Sequence, residues 1–157
     1  MHDAVAPEEV ARWTRWFAIE CNNRAWRLSE AARRTPAEDD EMLHAAHAAM
    51  LHWSKVGTEL HKARATMLLG HVHALLGQGP SAMTHAGQAF AYVMSHESPA
   101  WEVAFAHAVL ANAACAAGDR ELHAKHHALA QGLGMALADA EEREIFDATF
   151  KVIPAPA

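Results

Sequence analysis

Apolar residues recur at three- and four-residue intervals through most of the chain, and the blocks they form are separated by short Gly, Pro and Thr punctuation. The first block carries Val10, Trp13, Trp16, Phe17, Cys21 and Leu28. Pro7 suits its first turn, and Glu8 and Glu9 suit the positive end of a helix dipole. Arg33-Arg34-Thr35-Pro36 ends it, because the residue before a proline is pushed out of the helical region. Thr35-Pro36 then caps a second helix with acidic opening turns (Glu38, Asp39, Asp40, Glu41). Its apolar positions are Met42, Leu43, Ala46, Met50 and Trp53, and it stops at Gly57. Thr58 caps a third helix that ends in the Gly-Gln-Gly-Pro corner at 77–80, and Pro80 opens a fourth that runs to about His96.

Ser98-Pro99 caps a fifth helix through Trp101, Phe105, Val109 and Leu110 to Ala117. Gly118-Asp119 turns the chain into a sixth helix, which fades at 131–135. Asp139 begins a seventh, with Glu141, Glu142, Arg143 and Glu144 on one side and Ile145, Phe146 and Phe150 on the other. The closing Ile-Pro-Ala-Pro-Ala is expected to be a frayed tail. Connections this short predict antiparallel neighbours.

The blocks also repeat. Pro36, Gly77 and Gly118 stand 41 residues apart, and in the same register Leu28, Leu69 and Leu110 align. Beside them lies a small column, Ser29, Gly70 and Ala111; past the corner come His44, His85 and His126, then Ala48, Ala89 and Ala130. A large residue next to a small one lets neighbouring helices interlock, and a hairpin that cannot bury its own apolar face must stack on another.

Leu69-Gly70, the Gly77-Gln78 and Gly118-Asp119 corners, and Ala82 and Ala89 beyond them resemble the tetratricopeptide repeat, with the resemblance running roughly over 22–135. The usual period is about 34 residues, so the spacing here implies extended repeats. The resemblance implies an all-α fold in one domain, 1–157. Three antiparallel hairpins, about 7–56, 58–96 and 98–135, would stack as a short right-handed superhelix, with a capping helix over 139–152. It also implies a groove lined by the first helix of each hairpin. Aligned groove positions are then Asn23, Arg64 and Phe105; Glu30, His71 and Asn112; and, partly in the core, Trp26, Met67 and Ala108.

Composition narrows the picture. Hydrophobic residues make up 52% of 157, alanine dominates them, and strand-favouring residues are sparse, which supports an all-α chain with a sizeable core. A formal net charge of -6 argues against nucleic acid as a partner. Cys21 and Cys115 lie far apart within helical patterns, as expected of reduced, buried thiols in a cytoplasmic protein. The N-terminus shows no basic segment followed by an apolar run, and no stretch approaches the roughly 18 uninterrupted apolar residues of a membrane span, so no membrane partner is expected.

Candidate chemistry follows from the 13 histidines. His44 and His47, His123 and His126, and His123 and His127 share helix faces and are candidate metal-ligating pairs, yet no His-Glu-x-x-His motif is present, no Cys pairs with them at ligand spacing, and the carboxylates are not arranged as in di-iron bundles. The histidine total also motivates a pH-sensing role. Ser81, Ser95 and Ser98 lie at helix ends, where capping explains them, and no phosphate loop or nucleophile elbow is present. The expectation is a non-enzymatic protein- or peptide-binding scaffold that needs no cofactor. It would use the groove or the N-terminal aromatic extension Trp13, Trp16 and Phe17, which suits a homodimer or partner contact. The alternative is a metal- or small-ligand-binding helical protein that uses its histidine faces.

Overall fold

The computed structural model describes residues 4–157. Its helices are α1 (Pro7–Ser29), α2 (Pro36–Val56), α3 (Glu59–Leu75), α4 (Gly79–Ser95), α5 (Ala100–Ala117), α6 (Arg120–Met135) and α7 (Ala140–Phe150), and no strand occurs among the described residues. The ends are set by local chemistry. Thr35 and Glu38 form a reciprocal capping box at α2, and Thr58 and His61 form another at α3. Asp119 and Asp139 accept the Leu122 and Glu142 amides to cap α6 and α7.

Two corners turn on glycine. Gly77 and Gly118 adopt φ of 71° and 79°, a left-handed conformation that a side chain would strain. The corner between α1 and α2 has no such glycine. There the Arg34 guanidinium donates to the Leu28 carbonyl at 3.4 Å and to Asp39 at 2.6 Å, tying the end of α1 to the start of α2.

Each helix packs against its neighbours in sequence, and the odd-numbered helices α1, α3, α5 and α7 touch in succession. α3 and α5 lie at the centre of this arrangement and are buried almost all round. Close approach is made by small residues: a Cβ on Gly70 would come within 2.7 Å of the Ala86 nitrogen, so α3 and α4 meet backbone to backbone there. Ser29, Gly70 and Ala111, one column of the repeat, are all buried. By length and composition α5 is apolar enough to cross a membrane, which the sequence reading did not anticipate, but here it is a core helix touching α3, α4, α6 and α7.

The C-terminus is not frayed. Ile153 is 5% exposed within the α4–α7 core, and the His123 Nε2–H donates to the Pro154 carbonyl at 2.7 Å. Ile153 thus fills a core site, and the following Pro154 carbonyl is tied to α6.

Candidate functional site

A cleft of about 560 Å³ opens on the face made by the odd-numbered helices. From α1 it takes Arg15, Ile19, Asn22, Asn23 and Trp26, with Glu30 just past the helix end. α2 contributes Trp53; α3 contributes His61, Arg64 and Met67; α5 contributes Trp101, Glu102 and Phe105; and Ile145 and Thr149 of α7 close one side. Arg15 and Glu30 lie 15 positions apart along α1, which makes the cleft elongated, about 22 Å at 1.5 Å per residue.

The walls are aromatic. Phe105 packs edge-on against Trp26, Trp101 and Phe146 at centroid distances of 6.1, 5.9 and 5.6 Å. Trp53 lies parallel to the His61 ring at 4.2 Å, with the Arg15 guanidinium 5.9 Å from its centroid. Such rings give large contact area at little conformational cost.

Polar groups in the cleft are held in place by complementary partners. The Arg64 Nε donates to Glu102 Oε1 at 2.7 Å and its terminal nitrogen to Oε2 at 3.4 Å. The Glu102 carboxylate is 3% exposed while the Arg64 side chain remains 42% exposed, so the pair presents the arginine and hides the acid. Arg64 also lies 5.2 Å over the Trp101 ring. The Thr58 amide donates to His61 Nδ1, and burial, with Arg15 and Arg64 nearby, pushes the His61 pKa down, which keeps the ring neutral at pH 7. Arg15 donates to the Val56 carbonyl at 2.9 Å. Neither Arg15 nor Glu30 has an ion-pair partner among the described residues. One end of the cleft therefore offers a free cation and the other a free carboxylate.

Of the expected groove residues, Asn23, Glu30, Arg64 and Phe105 line this cleft, as do Trp26 and Met67. His71 and Asn112 do not reach the surface, and the expectation that they read a partner there is corrected. They are 0% and 3% exposed and bonded to each other at 3.1 Å behind the wall. The His71 ring stacks on Trp26 at 5.6 Å and supports it from beneath. Burial, reinforced by Arg34, pushes the His71 pKa down to about 4, and its Nε2 has no hydrogen-bond partner. Trp101 and Glu102 lie one turn before Phe105, and Ile19 and His61 stand in the corresponding turns before Asn23 and Arg64. Extending the aligned columns by one helical turn would have found them.

The aromatic extension lies beside the cleft. Trp13, Trp16 and Phe17 are 47%, 48% and 44% exposed and form an edge-to-face ladder, with Phe17 stacked on His52 of α2.

The histidines mostly pack on one another. His107 and His126 share a hydrogen bond between their Nδ1 atoms at 2.8 Å, with Phe90 edge-on to both rings. His73 lies between His47 and His85, and its Nδ1 bonds Gln78. Burial pushes the pKa values of His47, His85, His107 and His126 down. The aligned column does not share one environment: His44 is exposed, His85 half-buried and His126 buried. The spaced residues find separate polar partners: His123 bonds Pro154, His126 bonds His107, and His127 leans on Phe150 and meets the His123 ring edge-on at 5.9 Å. Among the described residues no group of three or more His, Cys, Asp or Glu side chains is arranged to hold a metal ion. Cys21 and Cys115 are half-buried and unpaired, and burial raises the Cys21 pKa and blunts its reactivity.

No protein family's sequence profile, no curated protein and no solved structure matches the chain. What is defined, among the described residues, is an all-helical arrangement of seven helices that pack in neighbouring pairs and open an aromatic cleft on one side.

Proposed function

We propose that the chain is a non-enzymatic peptide-binding scaffold, built as a tetratricopeptide-like stack of three hairpins with α7 as its cap, and that an extended segment of a protein partner lies in the cleft. The succession of contacts α1–α3–α5–α7 supports the stack, since in such a fold the first helices of the hairpins form the inner row. The observation that carries the function is the shape and polarity of the cleft. An elongated aromatic trough with a free Arg15 at one end and a free Glu30 at the other suits about six or seven residues of extended chain at 3.3 Å each. Aromatic rings take apolar side chains, the Asn22 and Asn23 amides offer donors and acceptors to a peptide backbone, and Arg15 with the exposed edge of Arg64 takes a carboxylate. Cleft side chains held by one another, Arg64 by Glu102 and His61 by Thr58, fit a binding role better than proton transfer.

A compact small ligand is the second reading, favoured by the volume, which falls within the roughly 300–1,000 Å³ usual for such sites. Selection from a displayed random-peptide library against the full chain separates the two. Peptides carrying an acidic residue next to apolar ones are expected to be enriched and to bind at least about tenfold more weakly to Asn23→Ala/Ile145→Glu, both exposed positions at the cleft. No enrichment, or equal binding to that variant, removes the peptide reading.

A further inference from the structure

We infer that the outward face of α1 is a self-association surface that pairs antiparallel with the same face of a second copy of this chain, centred on Trp16. Ala18 and Ala25, both 0% exposed, mark the side of α1 that faces the core, and Trp16 projects from the opposite side. The residues three and four positions to either side of Trp16, namely Arg12, Trp13, Ile19 and Glu20, share its face. Trp13, Trp16 and Ile19 are 47%, 48% and 42% exposed, and Val10 and Phe17 extend the apolar area to 50% and 44%. Exposed large apolar side chains elsewhere, such as Leu51, Met94 and Met135, stand on separate helices. Concentration on one helix face marks an interface.

Charge chooses the occupant. The face is nearly palindromic about Trp16: Arg12 and Glu20 lie four residues to either side, Trp13 and Ile19 three. At 1.5 Å per residue, an antiparallel copy centred there brings Arg12 level with Glu20 of the partner subunit, and Glu20 level with Arg12 of the partner subunit. Trp13 comes level with Ile19 of the partner subunit, and Trp16 meets Trp16 of the partner subunit. A parallel copy would set like charges against each other at both levels. Within one chain these charges are weakly committed: Arg12 is 70% exposed, 3.7 Å from Glu9 and 5.5 Å over the Trp13 ring, and Glu20 has no ion-pair partner among the described residues. Asn23 and Glu9, one further turn out, are polar and finish the face. Ile19 and Asn23 also line the cleft, so the pair would border the cleft.

Sedimentation equilibrium of the full chain from micromolar to submillimolar concentration tests this. A concentration-dependent dimer is expected that Trp16→Asp abolishes. Arg12→Glu alone and Glu20→Arg alone should each weaken it about tenfold, because two symmetry-related pairs become repulsive at once. Arg12→Glu with Glu20→Arg should restore it to within about twofold, since every pair is again of opposite charge. A strict monomer across the range, a dimer indifferent to Trp16→Asp, or a double exchange that fails to recover what either single exchange loses overturns the proposal. None of these outcomes bears on peptide binding in the cleft.

Discussion

The cleft wall and the seams between successive helices bury polar groups by different chemistry. At the wall unlike groups meet, Arg64 with Glu102 and His71 with Asn112, and each pair fixes an aromatic ring that faces the opening. At the α3/α4 and α5/α6 seams like meets like: His73 packs between His47 and His85, and His107 bonds His126 across Phe90. A hydrogen-bonded histidine pair holds only while one of the bonding nitrogens lacks its proton. The wall is thus organised to present side chains and the seams to fill space.

Breaking the wall pair should have the largest effect on stability. Arg64→Ala leaves a carboxylate that is 3% exposed without its cation, at a cost of about 3 kcal/mol in chemical denaturation. Glu102→Gln should cost only about 1 kcal/mol, because the half-exposed guanidinium can turn to water. Equal losses would mean that the pair is not buried as described.

Acid comes next. His71 binds its proton near 6.5 when unfolded and near 4 when folded, so between those values the unfolded state holds more protons and stability falls as pH falls. The contribution is complete above about pH 6.5 and gone by about pH 4. From pH 7.5 to 5 His71 alone should remove about 2 kcal/mol. His47, His85, His107 and His126 act in the same direction. His71→Gln, which can still partner Asn112, should flatten the slope by the His71 share in denaturation curves taken across this range.

At the α3/α4 seam Gly70→Ala should cost about 1–2 kcal/mol: the added carbon meets the Ala86 backbone, and alanine's better helix propensity returns up to about 1 kcal/mol of the strain. The smallest effect is expected of His126→Phe, about 1 kcal/mol at pH 7.5, since aromatic packing against Phe90 survives and the loss is that of the His107 hydrogen bond. The same substitution should leave stability less sensitive to acid, as read by melting temperature at pH 5.5.

Helix ends were the most legible part of the sequence, because Thr35, Thr58, Asp119, Asp139 and the glycines at 77 and 118 act through contacts within a few residues. The 41-residue columns also carried real information. Asn23, Arg64 and Phe105 line the cleft together, and His71 bonds Asn112 at that same separation. Depth was not legible. A helix wheel gives direction but not how far a neighbour covers it: His71 and Asn112 point toward the groove side, yet Trp26 stacks over His71 and both are buried. The histidine column failed for a related reason: His44 is exposed on α2 while His126 is enclosed by α5 and Phe90. Ile153 and Pro154 looked like a tail because their partners, the distant core and His123, are set by tertiary packing alone.

The five tryptophans divide between the cleft and α1: Trp26, Trp53 and Trp101 line the cleft, and Trp13 and Trp16 stand on the outward face of α1. The most direct test of the peptide-binding account follows the indole N–H signals of the ¹⁵N-labelled chain, at fixed protein concentration, as a selected peptide is added. The Trp26, Trp53 and Trp101 signals should move together and saturate while those of Trp13 and Trp16 stay in place. Movement confined to Trp13 and Trp16, or no movement at saturating peptide, would contradict peptide binding in the cleft.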